Sequence, residues 1–405
     1  MVITQILLAM TVLVFPPSQP ASRPAAVVRF ATFNIQRLSA RKLAEVDDQG
    51  RGTNTQLRKA AEIIQRVRPD VLLINEIDYD AATRRNAARF LDRYLKAPQN
   101  GQRPLDYPYI FFAPVNTGVP TGKDLDHDGK TDGPADAYGF GRYPGQYGMA
   151  LYSRFPIDPR RARTFQKLPW KDMPGNLMPD GTAGKPAWYS ADEAGMLRLS
   201  SKSHWDVPVD IGGVTVHVLA SHPTPPVFDG PEDRNGRRNY DEIRFWADYI
   251  AGGTRAAYIR DDRGAIGGLK PDALFVIMGD LNADPVKADA PYGRPAIAQL
   301  LDNPRVRDPR PHSAGAAACA GRYPGDQAAR TSHFGRLDYV LPCRRLVTRA
   351  AGVFWPPSGD PRSALVREPA PASDHRLVWV DVVLPGHSNT QSKTPRAGRR
   401  ASGAP

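Results

Sequence analysis

Asn34, Glu76, His222, Asp280, Asn282, Asp338, Asp374 and His375 carry the side chains that phosphate-ester chemistry needs. Each borders a short apolar run. The clearest case is Leu274–Asp284, LFVIMGDLNAD. It reads as a buried strand that breaks at Gly279 and presents Asp280 and Asn282 at its carboxyl end. Such strand ends are common places for chemistry. The oxygens of Glu76, Asp280 and Asp374 suit a hard cation such as magnesium, manganese or calcium. A carboxylate beside an amide can orient and deprotonate water. Imidazoles can hydrogen-bond a phosphate and assist proton transfer. Asp338 is of the right type to fix the tautomer and orientation of His375. Taken singly, each Asn or Asp is also an ordinary turn former. Together they point to cation-assisted attack of water on a phosphate ester. No Walker loop, dinucleotide glycine fingerprint or G-x-S-x-G elbow is present, which turns the argument away from kinase and serine-hydrolase chemistry.

These residues need strands to place them. Val27–Thr32 reads as a strand ending in Phe33-Asn34-Ile35-Gln36. Asn54–Val67 has helical apolar spacing and Pro69 stops it. Asp70–Ile74 is a strand running into Asn75-Glu76, and Thr83–Leu95 a second helix. Tyr109–Phe112 and Tyr147–Tyr152 read as strands. Leu197–Trp205 and Val207–Ile211 look like strand material around a proline-bearing stretch, paired with Val214–Ala220 across the Gly212-Gly213 turn. That strand leads to His222. Tyr240–Ala251 is an amphipathic helix. Arg237 and Arg238 precede it, either to meet substrate phosphate or to open the helix in solvent. Arg336–Leu341 holds Asp338, and Arg376–Leu384 closes the domain. The alternation predicts an α/β fold in one domain over residues 26–385. Segments 113–146 and 160–195 are long loops. In the second, Trp170 and Trp188 either stack on a base or sugar or simply pack the loop.

The 405 residues carry a formal net charge of +12, which favours polyanionic partners. Hydrophobic residues make up 41%, enough for a large core, while 40 Pro and 35 Gly predict long loops. Ile3–Phe15 is almost wholly apolar and too short to span a bilayer, so residues 1–25 read as a signal peptide. That predicts a secreted or periplasmic protein without stable membrane insertion. Residues 386–405 read as a disordered basic tail. In an exported chain Cys319 and Cys343 would form one disulfide; the alternative is two free thiols. The run DLDHDGKTD places Asp124, Asp126, Asp128 and Asp132 at spacings like those of a calcium loop, although Ala135 stands where the closing Glu belongs. It is either a structural calcium site or a solvated acidic turn.

Seven pieces in a fixed order resemble the endonuclease/exonuclease/phosphatase superfamily. They are Phe33–Gln36 (FNIQ), Asn75–Glu76, Tyr147–Ile157 (YGMALYSRFPI), Ser221–His222, Gly279–Pro285 (GDLNADP), Leu337–Leu341 (LDYVL) and Ser373–His375 (SDH). The resemblance implies a four-layered sandwich: two packed mixed β-sheets flanked by helices, with the site at one end. It implies Glu76 as the principal ligand of magnesium or manganese, with Asp374 and Asn34 near the cation. Asp280 would act on the attacking water, held by Asn282. His375, paired to Asp338, would work at the scissile phosphate, and His222 would steady the phosphoryl oxygens. Gln36 stands where some branches carry a carboxylate, which departs from the abasic-site branch.

The expectation is a secreted, metal-dependent, monomeric phosphodiesterase, an endonuclease acting on nucleic acid. The alternatives are a phosphomonoesterase, a sphingomyelinase-type hydrolase with Phe354-Trp355-Pro356-Pro357 as its membrane-facing loop, or an inactive binding module.

Overall fold

The computed structural model describes residues 27–182, 184–287, 293–321, 323–368 and 371–385. The expected leader and tail lie outside the described residues. In chain order the strands are β1 (Val27–Leu38), β2 (Val71–Ile77), β3 (Tyr109–Phe111), β4 (Gly148–Ser153), β5 (Arg163–Thr164), β6 (His204–Ile211), β7 (Val214–Ser221), β8 (Leu274–Asp280), β9 (Asp338–Pro342), β10 (Val347–Val353) and β11 (Val378–Val383). The helices are α1 (Ala40–Ala44), α2 (Thr55–Val67), α3 (Asn86–Phe90), α4 (Ala191–Met196), α5 (Arg234–Ala251), α6 (Ala298–Leu301) and α7 (Ala314–Ala317).

The strands form two mixed sheets. One has six strands in the order β10-β11-β1-β2-β4-β3, the other five in the order β5-β6-β7-β8-β9. β1 and β2 face β8 and β9 across the core. Every residue of β8 is buried, as its unbroken apolar run predicts. Phe30, Phe33, Trp205 and Ile277 are fully buried too. Each fully buried large side chain of this kind contributes roughly 1.5–3 kcal/mol.

Local chemistry sets the helices. The Asn54 side chain caps α2 by accepting from Leu57 N at 3.2 Å, and Arg68 ends it in a left-handed conformation. The second expected helix begins later than its spacing suggests. The Asp80 carboxylate accepts from Arg85 N and Asn86 N, both at 3.0 Å, so α3 starts at Asn86 and continues as a π-helical turn over Leu91–Leu95. α5 starts at Arg234, six residues before its apolar stripe. It covers the five-stranded sheet: Trp246 Nε1 donates to Ser221 Oγ at 2.9 Å and Tyr249 Oη to Asp206 Oδ2 at 2.6 Å.

Two strand expectations need revision. β6 runs straight through Pro208, which falls in the gap between the β5 pairing at Trp205 and Asp206 and the Ile157 bridge to Val209, so its missing N–H breaks no ladder bond. β10 was not expected at all, since VTRAAGV has little strand propensity and Val347 is 61% exposed. Gly352 makes the strand possible: a Cβ there would sit 2.9 Å from the Trp379 ring.

His204, at the start of β6, supplies a test of the buried core. Its Nε2 lies 3.0 Å from Glu242 O and its Nδ1 3.0 Å from Ser200 Oγ. The carbonyl can only accept, so Nε2 carries the proton and Nδ1 accepts from the hydroxyl. This neutral form is favoured because burial pushes the imidazole down to about 4 from 6.5. The unfolded chain therefore binds the proton first as pH falls. Stability contributed by neutral His204 should be complete above pH 6.5 and decline toward pH 4, by about 3 kcal/mol in all. Imidazole NMR should show no His204 titration between pH 8 and 5; a midpoint near 6.5 would contradict the buried neutral ring.

Candidate active site

Neighbouring strands bring the polar residues together at one end of the sandwich. Asn34 on β1 pairs in register with Asn75 on β2. The register then shifts, so that Leu38 meets Ile77 and Glu76 is left out of the ladder. The β2–β4 pairing skips Glu76 as well. Glu76 has a φ of 68°, a left-handed conformation for a residue with a Cβ. Such outliers cost about 1–3 kcal/mol and cluster at functional sites. Here the bulge re-aims the carboxylate toward the cleft. Its Oε1 accepts from Asn34 Nδ2 at 3.1 Å and its Oε2 from Arg37 N at 2.8 Å.

Asp280 closes β8 from the opposite sheet. Gly279 precedes it with φ of 150°, and a Cβ there would lie 2.0 Å from Ser221 O. Only glycine lets β7 and β8 close up at this point. Asp280 Oδ2 accepts from Asn34 Nδ2 at 2.9 Å, and Asn75 Oδ1 accepts from Asp280 N at 3.2 Å. Two asparagines of one sheet thus grip one aspartate of the other. Asn282 N donates to Asp280 Oδ1 at 3.0 Å, while its Nδ2 donates to Pro223 O at 3.1 Å. Asn282 therefore holds the carboxylate through its backbone and the His222 loop through its side chain.

Antiparallel pairing of β8 with β9 sets Asp338 opposite Asp280. His375 Nδ1 lies 2.9 Å from Asp338 Oδ2, and its Nε2 lies 3.7 Å from Asp280 Oδ2. His222 Nε2 approaches the same Asp280 oxygen at 3.5 Å. Ser373 anchors the SDH turn to β1: its Oγ donates to Asn34 O at 2.7 Å and accepts from His375 N at 3.1 Å. Gln36 Nε2 donates to Asp374 Oδ2 at 2.9 Å.

The environments drive these groups apart. Burial alone would lower the His375 pKa, but the Asp338 and Asp280 carboxylates outweigh it and raise it well above 6.5. Burial, with the charges of Lys202 and His375, pushes His222 well below 6.5. Burial raises Asp280 to about 6, against the His375 charge. Burial also raises Glu76, against its two hydrogen bonds. The cluster holds a protonated imidazole, a neutral imidazole and a carboxylate poised near neutrality. Such separation is how acid and base roles are divided among like groups.

The donor set fits a hard cation. Asn34 Oδ1 and Asp338 Oδ1 are buried acceptors with no hydrogen-bond partner. Asp280, Asp338 and His375 offer atoms within 4.8 Å of one another. Orphaned buried acceptors and carboxylates with raised pKa values are both relieved by a bound positive charge. The cation expected from the sequence would lie beside this group, at Asn34, Glu76 and Asp374 on the β1–β2 side, where Asn34 joins Glu76 and Gln36 joins Asp374.

Other expected residues do not join. Arg238 lies inside α5 and gives its guanidinium to Leu199 O, Tyr138 O and Arg198 O at 3.0, 2.6 and 2.8 Å. Arg237 donates to Glu232 O at 3.0 Å. Arg238 serves the loop framework rather than meeting a phosphate, because the helix begins earlier than the sequence pattern implies. Trp170 is buried with Nε1 on Asp241, and Trp188 donates to Leu125 O while stacking on His127. The two long loops are packed on each other by this contact. Trp355 is 8% exposed, packed against His333 and Arg376, which removes it from a membrane-facing role.

Cys319 and Cys343 are free thiols, a correction to the expected bridge. Cys343 is buried beyond β9, its N–H on Phe275 O, whereas Cys319 follows α7. Packing, not a cross-link, holds each in place. In the acidic loop, Asp124, Asp126 and Asp128 converge within 4.8 Å, without Asp132. Asp124 accepts from Asp128 N and Gly129 N, and Asp126 Oδ1 is buried without a partner. Asp136 accepts from Leu125 N and Gly133 N and so pins the loop.

Some site residues escaped the sequence reading. Asn75 was visible only as the neighbour of Glu76. Thr331 Oγ1 donates to Asp338 Oδ2 at 2.7 Å. Asn239 Nδ2 donates to Thr224 O at 2.8 Å and Leu281 O at 3.1 Å, tying α5 to two catalytic-end loops. Neither has a motif around it.

Solved structures match the chain at low identity. An endonuclease/exonuclease/phosphatase from Beutenbergia cavernae is 19% identical, with 88% of this chain and 72% of that chain covered and a TM-score of 0.49. Truncated TDP2 from Caenorhabditis elegans is 15% identical, covering 88% and 98%, with a TM-score of 0.43. A mannosyl-6-phosphatase from Bacteroides thetaiotaomicron is 13% identical, covering 88% and 100%, with a TM-score of 0.44. No curated protein matches the chain by sequence. The family model described as "Endonuclease/Exonuclease/phosphatase family" matches residues 31–375. That span takes in every polar residue of the cleft, and the chain belongs to the endonuclease/exonuclease/phosphatase family.

Proposed function

We propose that this chain is an exported, divalent-metal-dependent phosphodiesterase that cleaves nucleic acid internally. One observation carries the chemistry: the Asp280 carboxylate, raised to about 6, lies between neutral His222 and protonated His375 and is gripped by Asn34. A bound magnesium or manganese ion supplies charge neutralisation at the phosphoryl oxygens. Asp280 accepts the proton of the attacking water as its oxygen bonds to phosphorus. His222 hydrogen-bonds a phosphoryl oxygen without competing for that proton. His375, oriented by Asp338, faces the phosphate as a cation and gives a proton to the departing oxygen when the P–O bond breaks. Export rests on the apolar leader alone.

Two features favour a nucleic acid. The chain has a net charge of +12. Phe228 and Phe334, 89% and 64% exposed, stand on the loops that follow His222 and precede Asp338, where bases could stack. The sphingomyelinase-type alternative loses Trp355 to packing against His333 and Arg376. A phosphomonoesterase needs the same machinery, so the substrate decides between them.

Asp280→Ala and His375→Ala should each lower kcat about 10²–10⁴-fold, with circular dichroism unchanged. Plasmid nicking with magnesium measures this, and near-normal activity in either variant rejects its role. Assays on plasmid DNA, RNA, inositol phosphates and sphingomyelin should rank nucleic acid first; turnover of the lipid or the monoesters alone would transfer the reading to that alternative.

We further propose that Asp124, Asp126 and Asp128 hold a structural calcium ion. Calcium should raise the thermal midpoint of the wild type by a few degrees and leave an Asp126→Asn/Asp128→Asn variant unmoved. A wild-type midpoint indifferent to calcium rejects the site.

A further inference from the structure

Lys202 is a buried cation that neither the sequence motifs nor the chemistry above uses. It lies just before β6, and the residue is 6% exposed. Its Nζ makes one hydrogen bond, to Pro223 O at 3.3 Å. Among the described residues no carboxylate comes within the 4.0 Å of an ion pair. Glu242, the carboxylate whose charge acts on it most, spends its two oxygens on Ser201 N at 2.7 Å and Thr224 N at 2.6 Å. An ammonium has three donors and no acceptor. Two of those donors are left over in a place where a charge without a counter-ion is strongly unfavourable.

The position explains what the free donors face. Pro223 directly follows His222, and its carbonyl also accepts from Asn282 Nδ2 at 3.1 Å. Lys202 Nζ therefore sits where the His222 loop meets the Asp280–Asn282 turn. Burial lowers the Lys202 pKa, opposed by the charges of Glu242, Asp280 and Glu76, and the ammonium in turn disfavours a proton on His222. An anion between His222 and Asp280 would lie beside the loop carbonyl that this ammonium holds.

We propose that Lys202 is a phosphoryl-binding residue whose ammonium takes a non-bridging oxygen of the scissile phosphate on the His222 side of the cleft. The inference rests on the hydrolase reading and adds a fixed protein cation to it. With the metal side at Asn34, Glu76 and Asp374, the phosphate is held between two positive centres. The Lys202 charge adds to the burial that disfavours a proton on His222.

The plain alternative is that Lys202 only props the Pro223 carbonyl. Lys202→Gln separates the two roles, because it keeps an N–H donor and removes the charge; Lys202→Arg keeps the charge. Two measurements apply to wild type and both variants, after circular dichroism and thermal melting have confirmed folding. One is kcat/KM for bis(p-nitrophenyl) phosphate with manganese. The other is calorimetric binding of inorganic phosphate to the metal-free protein. K202Q should lose roughly ten- to hundredfold in both, and K202R should recover most of the loss. K202Q equal to wild type in both would overturn the proposal and leave a carbonyl prop. Should K202Q fail to fold, K202N, which also keeps an amide donor without the charge, takes its place in the same comparison. A wild type inactive on every ester and metal would overturn the hydrolase reading itself, while the phosphate titration would still decide the lysine.

Discussion

The site depends on a grip between the two sheets. Asn34 and Asn75 sit side by side on β1 and β2, and both reach Asp280 at the end of β8. One donates to the carboxylate and the other accepts from the peptide N–H. Buried amides and carboxylates are tolerable only when their hydrogen bonds are made. The grip satisfies several at once and fixes how the sheets meet at this end. Everything else is placed relative to it: Glu76 by the bulge next to Asn75, Asp338 by pairing opposite Asp280, and His375 by its bond to Asp338.

The same closeness creates an electrostatic problem. Glu76, Asp280, Asp338 and Asp374 gather in one cleft, with protonated His375 among them. Burial raises Glu76 and Asp280. Orphaned acceptor oxygens on Asn34 and Asp338 add to the unmet demand for positive charge. A divalent cation on the Glu76 side and a phosphate held from the Lys202 side would relieve both ends of this arrangement. Function and stability are thus linked through the same few oxygens.

Much of this was legible beforehand because it follows local rules. LFVIMGD is a buried strand by pattern, and Asn54 caps a helix by type. The polar residues at strand ends were readable as a set, although not their mutual geometry. What escaped follows from longer-range effects. The left-handed Glu76 arises from a register shift between three strands, which no window of sequence contains. The early start of α5 uses RNGRRN, a stretch without apolar periodicity, and it turned Arg238 from an expected phosphate ligand into a clamp on loop carbonyls. β10 is held by its neighbours rather than by its own propensity. Free Cys319 and Cys343 show that an even cysteine count predicts pairing only when the fold brings the two together.

The central claim is that one cation belongs among Glu76, Asn34 and Asp374. Crystals soaked in manganese would test it through anomalous scattering. The account predicts a peak within bonding distance of the Glu76 carboxylate and Asn34 Oδ1, abolished in Glu76→Gln. Saturating manganese that leaves this cleft empty, or that binds only in the acidic loop at Asp124, would contradict it.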